Sequence, residues 1–233
     1  VSLDGTRLAV GAKQDDGPAN GGTTDSGAVY LYTNVFATGG GELAGRVGDN
    51  YTGTGYTGST NIDTEVDLLI NERFGKDISL VDNMLAVVAW KGKGNSRSDD
   101  DGDVYLFNFN GTDDDGNYDF SDGGTLQARI GKGWSGNSSR DIDFIADKQF
   151  GLEEVSIDKD SDGVYLAVGH TRDYGGSGGN QYEGSVLLFS FTDTAFNGGG
   201  LEGTVGRDYT SYEQADTAQA GSTSTTIKLA TGA

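Results

Sequence analysis

The sequence predicts an all-β chain of three four-stranded antiparallel sheets. Three observations carry that reading. Apolar residues come in short runs rich in Val, Leu, Tyr and Phe, bounded by Gly and Asp, as strands and their turns require. The chain has 40 Gly and one Pro in 233 residues, yet no Gly-X-Y period of the collagen kind. Above all, one series of four apolar strings occurs three times, which marks a repeat architecture.

The first string is Val1-Ser2-Leu3, then Ile78-Ser79-Leu80, then Val155-Ser156-Ile157. The second is RLAVGA (7–12), MLAVVA (84–89) and YLAVGH (165–170). The third is GAVYLY (27–32), GDVYLF (102–107) and GSVLLF (184–189). The fourth is Leu43…Val47-Gly48, Leu126…Ile130-Gly131 and Leu201…Val205-Gly206. Equivalent positions lie 75 to 83 residues apart. The units run over about 1–72, 73–148 and 149–211, in one domain, with 212–233 as a C-terminal strand or tail.

The third string shows how the sheets pack. In GDVYLFNF, Val104, Leu106 and Asn108 take one face, and Tyr105, Phe107 and Phe109 take the other. Two largely apolar faces imply burial on both sides, so sheets stack face to face. The first two strings are joined by Asp4-Gly5-Thr6 and Val81-Asp82-Asn83, residues that tolerate a tight hairpin. Unit three lengthens this connection to Asp158-Lys159-Asp160-Ser161-Asp162-Gly163. Long polar loops (13–26, 91–101 and 171–183) always separate the second and third strings. Loops that recur at one place collect on one face. The stretches VDLLINERF (66–74) and IDFIADKQF (142–150) read as a fourth-strand extension or one helical turn. The final STSTTIKLATGA (222–233) reads as a lone strand. It either completes a neighbouring subunit by strand addition, closes its own unit, or frays.

Charge narrows the partners. The formal net charge is −20, so nucleic acid, which needs clustered Lys and Arg, is excluded as an expected partner. An anionic membrane surface repels such a chain, and no apolar stretch is long enough to span one. The absence of Cys removes disulfides and thiolate metal sites. A chain that opens on Val1 is expected to be a processed or excerpted piece of a longer product.

Phe74-Gly75 and Phe150-Gly151 open units two and three. Phe-Gly, then Gly-Ala after an apolar strand, then Gly-x-Val-Tyr-Leu-Tyr, resembles the FG-GAP repeat. The resemblance implies a β-propeller-like fold with a calcium loop of Asp-x-Asp-x-Asp-Gly type between the first two strands of a blade. The family's Pro after Gly-Ala is absent here, with Lys13, Trp90 and Thr171 in its place. Propellers typically close with four to eight blades, so three blades leave open flanks. A threefold prism-like arrangement is the alternative. A larger parent propeller or association of copies is the other way to cover the flanks.

The resemblance places calcium at Asp158, Asp160 and Asp162, where alternate carboxylates supply the hard oxygen ligands that calcium prefers. Asp99, Asp101 and Asp103, and Asp113 and Asp115, are further cation candidates against a turn-forming alternative. Asn110 and Asn137 sit in glycosylation sequons. Trp90 and Trp134 lie near loops and are candidates for stacking on sugars, or for packing. GTGYTG (53–58) and GGSGG (175–179) satisfy dinucleotide and nucleophile-elbow patterns only in form, without the helix each needs. The one histidine, His170, ends a strand and is expected to pack. No catalytic residue is expected. The expected function is a non-catalytic extracellular or cell-surface structural or adhesive module, self-associating or bound to other surface proteins and stabilised by calcium. A carbohydrate-binding module is the alternative, and a hydrolase is third.

Overall fold

A computed structural model describes residues 1–17, 24–49, 51, 60–63, 68–94, 102–113, 116–120, 124–134, 140–143, 152–171, 184–206 and 227–228. These residues form three sheets and no helix. Sheet I contains β1 (Ser2–Asp4), β2 (Arg7–Ala12), β3 (Ala28–Thr33), β4 (Glu42–Gly48) and β5 (Thr60–Asp63), in that spatial order. Sheet II contains β6 (Phe74–Val81), β7 (Met84–Ala89), β8 (Asp103–Phe109), β9 (Gly124–Gly131) and β10 (Ile142–Asp143). Sheet III contains β11 (Leu152–Lys159), β12 (Val164–His170), β13 (Ser185–Phe191), β14 (Gly200–Gly206) and β15 (Ile227–Lys228). The architecture is all-β with three sheets, as the recurring strings predict.

Each sheet has one strand more than expected. The first four strands form an antiparallel meander, and a short fifth pairs parallel with the fourth. The register is the same each time: Val47↔Ile62, Ile130↔Ile142 and Val205↔Ile227. The fifth strand covers part of an edge whose N–H and C=O groups would otherwise be unpaired. Its signal was in the sequence as Asn61-Ile62-Asp63, Asp141-Ile142-Asp143 and Thr226-Ile227-Lys228. Of the terminal stretch, Ile227–Lys228 is described and pairs within its own sheet. In VDLLINERF the described part is a turn, with Asn71 and Arg73 at φ of 66° and 58°. Of IDFIADKQF, only β10 is described.

The sheets stack face to face, and sheet II lies between the other two. Its back, with Ala86, Val88, Val104, Leu106 and Ile130, packs on Ile157, Leu166 and Phe189 of sheet III. Its front, with Leu80, Leu85, Val87, Tyr105 and Phe107, packs on Ala9, Val29, Leu31 and Val47 of sheet I. Every residue of β7 and β8 is buried. The two-faced reading of GDVYLFNF thus holds, with Asn108 on the sheet III side. Its Nδ2 donates to the Thr194 carbonyl at 2.7 Å.

Two devices fix the stacking. The first explains why glycines recur. Gly11, Gly27 and Gly75 meet where sheet I touches the start of sheet II, and a Cβ on any of them would overlap backbone atoms of the facing strand. Gly27 and Gly75 also hold φ of 90° and 82°, a region that side chains disfavour. Beside them, the Phe74 N–H donates to the Ser26 carbonyl at 2.8 Å. The Phe74 ring is fully buried, edge-on to Tyr105 and Phe107.

The second device caps the first hairpins of sheets II and III with side chains from the preceding sheet. Leu80 N–H donates to Ser2 Oγ at 2.9 Å, and Ile157 N–H donates to Ser79 Oγ at 3.1 Å. Val155 N–H donates to Asp77 at 2.8 Å, and Asp82 N–H to Asp4 at 2.8 Å. All four bonds span 78 residues. The repeat is therefore geometric as well as textual.

Candidate functional site

The elongated hairpin of sheet III is the first candidate. β11 and β12 pair as far as Lys159↔Val164, which leaves a four-residue loop. Asp160 organises it. Its Oδ1 accepts the Asp162 N–H at 2.7 Å and the Gly163 N–H at 3.2 Å, and its own N–H donates to the Gly163 carbonyl at 3.1 Å. This is an aspartate turn of the kind that closes loops without any ion. Asp158 accepts the Lys159 N–H at 2.8 Å, and Asp162 accepts the Ser161 hydroxyl at 3.3 Å. The Tyr165 phenol is held above its ordinary pKa, by desolvation first and then by the charges of Asp160 and Asp162. Lys159 reaches the other way and pairs with Asp82, so the hairpin is tied to sheet II. Among the described residues, no group of three or more His, Cys, Asp or Glu side chains is placed to hold a metal ion.

Asp103 opens β8 and is 1% exposed. One of its oxygens accepts Trp134 Nε1–H at 2.8 Å, and the other accepts the Gly94 N–H at 3.0 Å. Asp103 is therefore an internal acceptor that ties two loops to a strand end. Asp99 and Asp101 lie outside the described residues. Asp113 folds an exposed turn: it accepts the Asn117 N–H at 2.8 Å and the Asn117 amide at 3.1 Å. Asp115 lies outside the described residues.

Of the two aromatic candidates, Trp134 takes the packing alternative. Trp134 is buried, donates to Asp103, and carries the Arg129 guanidinium 4.7 Å from its ring centre. Its polar edge and one face are thus occupied by the protein itself. Trp90 is half-buried, with Arg73 at 5.3 Å and Lys91 at 5.7 Å from the ring centre. His170 is buried at the end of β12, where it pairs with Ser185. Asn110 and Thr112 of the first sequon are both exposed. Asn137, GTGYTG and GGSGG lie outside the described residues.

Two polar clusters escaped the sequence reading. Asp15, in the first long loop, accepts hydrogen bonds from Tyr30 at 2.6 Å and Tyr51 at 2.5 Å. Burial and the Asp15 carboxylate push both phenols up. This cluster pins a polar loop to sheet I, and nothing in the spacing of 15, 30 and 51 announces it. The second is Glu72, 1% exposed, in the turn before β6. Its pKa is pushed up to about 7 by burial, opposed by a backbone hydrogen bond at Leu69, and raised again by the charge of Asp103. A carboxyl with such a pKa has the proton affinity of a general acid, but at this depth it does not face a substrate in solvent.

The described carboxylates chiefly receive N–H and O–H groups of the protein itself. Their visible chemistry is the fixing of turns and sheet edges. What the three sheets leave open are two broad faces, the front of sheet I and the back of sheet III. Leu3 is 54% exposed on the first, and Val186 is 36% exposed on the second.

No protein-family model matches the chain, and no curated protein sequence matches it. Among solved structures, a GH32 beta-fructofuranosidase of Bombyx mori, a mutant in complex with sucrose, is similar over 86% of this chain at 12% identity, with a TM-score of 0.39. The chain spans about a third of that enzyme's length, 33%. Among the described residues, no helix is long and apolar enough to cross a membrane.

Proposed function

We propose that this chain is a non-catalytic structural or adhesive repeat module of the FG-GAP type, acting outside the cell in a self-associating surface or filamentous assembly. One observation carries the reading. The outermost sheets each keep a face with exposed apolar residues open, while both faces of sheet II are buried. Apolar faces at a flank of this kind mark sites of association. The carboxylate inventory supports a structural role, because Asp4, Asp77, Asp103 and Asp160 all accept N–H groups that hold sheets or turns.

Calcium is the proposed stabiliser of the third hairpin. Asp158 and Asp162 each keep an oxygen outside the hairpin's hydrogen bonds, and a cation would draw these toward Asp160 while water completes its shell. Electron microscopy of the purified protein, with calcium and then with chelator, tests the function: rings or filaments are expected. Thermal melting tests the ion: calcium raises Tm in the native chain and not in Asp160→Ala. Isolated particles under both conditions contradict the assembly, and an unchanged Tm contradicts the ion.

A further inference from the structure

We infer that the back of sheet III binds the front of sheet I of a second copy of this chain, head to tail, in the geometry that already joins sheet I to sheet II. The inference rests on the self-association proposed above and specifies its surfaces.

The argument is residue for residue. The back of sheet III presents Ser156, Ala167, Gly169, Val186, Leu188 and Val205. At the equivalent places, the back of sheet I has Ser2, Ala9, Gly11, Val29, Leu31 and Val47. The six residues are identical in the two sheets. In sheet I they are covered by sheet II, and Ala9, Val29, Leu31 and Val47 lose all exposure.

The surface that covers them is equally well copied. The front of sheet II supplies Leu80, Leu85, Val87, Tyr105 and Phe107. The front of sheet I has Leu3, Leu8, Val10, Tyr30 and Tyr32 at the same places. Only Phe107 and Tyr32 differ, by a hydroxyl. The back therefore duplicates a surface known to pack, and the half-buried front nearly duplicates its partner, with the Tyr30 hydroxyl already bonded to Asp15. Of the seven large hydrophobic residues that stay exposed among the described residues, four lie at these flanks: Val1, Leu3, Tyr165 and Val186.

The edge caps continue the match. Ser2 Oγ accepts Leu80 N–H and Asp4 accepts Asp82 N–H inside the chain. The equivalents across copies are Ser156 for Leu3 N–H and Asp158 for Gly5 N–H. Ser156 and Asp158 are both exposed. A front-to-back contact uses different surfaces on its two sides, so it propagates as a filament or closes as a ring. The net charge of −20 on each copy opposes contact, so association strengthens with salt.

The test uses sedimentation of the full chain at raised salt, with Val186→Glu blocking the back and Leu3→Glu blocking the front. Each variant alone is expected to weaken association by on the order of 100-fold, because it buries an unpaired carboxylate. An equimolar mixture of the two keeps one intact front and one intact back, and is expected to form 1:1 dimers and nothing larger. A second readout is independent of these variants: Leu3→Cys and Ser156→Cys, in separate copies, are expected to join through a short bis-maleimide. Association that survives both Glu variants, or a mixture that stays monomeric, overturns the front-to-back mode while leaving self-association standing. A native chain that stays monomeric at every concentration and salt overturns both.

Discussion

Leu106 and Leu188 occupy the same place in consecutive repeats, yet one is fully buried and the other only half-buried. Both sit mid-strand just before the same irregularity in pairing with the fourth strand. What separates them is only what lies behind the sheet. Sheet II has sheet III at its back, whereas no sheet of the described residues packs on the back of sheet III. The sequence of a repeat thus specifies a face that wants covering, and the position of the repeat in the stack decides whether it is covered.

The comparison is most directly broken by matched truncations. Leu106→Ala is expected to destabilise the dilute protein by about 2–5 kcal/mol, from lost burial and a residual cavity. Leu188→Ala is expected to cost under about 1 kcal/mol in the same dilute sample, since solvent already reaches the site. Chemical denaturation at low concentration measures both. Equal costs would mean that the back of sheet III is covered in the monomer.

The two sheets also differ in how they spend carboxylates. In sheet III the Asp160 carboxylate is at the surface. Before sheet II, Glu72 is buried with a pKa raised to about 7. The folded chain thus holds this proton more tightly than the unfolded chain, where Glu titrates near its ordinary value. The stability contributed is full below about pH 4.5 and is lost as pH rises through about 7. Glu72→Gln should flatten that slope and raise stability at pH 8 by about 1–3 kcal/mol. Urea midpoints across pH 5 to pH 8, roughly the range the linkage covers, measure this. An unchanged slope would show that Glu72 is ionised in the folded chain.

Much of the fold could be read from the four recurring strings, because β-branched and aromatic runs of this length, bounded by Gly and Asp, have few other outcomes. The two-faced burial of β8 followed from its alternation. The fifth strands were harder: two to four residues at a sheet edge carry little apolar pattern, and only their triple recurrence marks them. The aspartates resisted most. Asp103, Asp160 and Asp4 look alike in sequence, yet one binds an indole, one folds a turn and one caps a neighbouring strand. An acidic residue's role depends on which N–H groups the fold brings to it, and those come from residues up to 78 positions away. Trp134 shows the same limit. The sequence leaves its indole between stacking on a sugar and packing, and the fold holds it against Asp103.

Hydrogen exchange of the native chain, dilute and then concentrated at raised salt, tests the central claim most directly. The account predicts that the Leu3 and Gly5 amides slow on concentration, because Ser156 and Asp158 of another copy cap them. The turn after β7 in sheet II, where the Gly92 N–H donates to the Ala89 carbonyl, is predicted to exchange at one rate throughout. Equal exchange at Leu3 and Gly5 in both samples, or slowing confined to that turn, would contradict it.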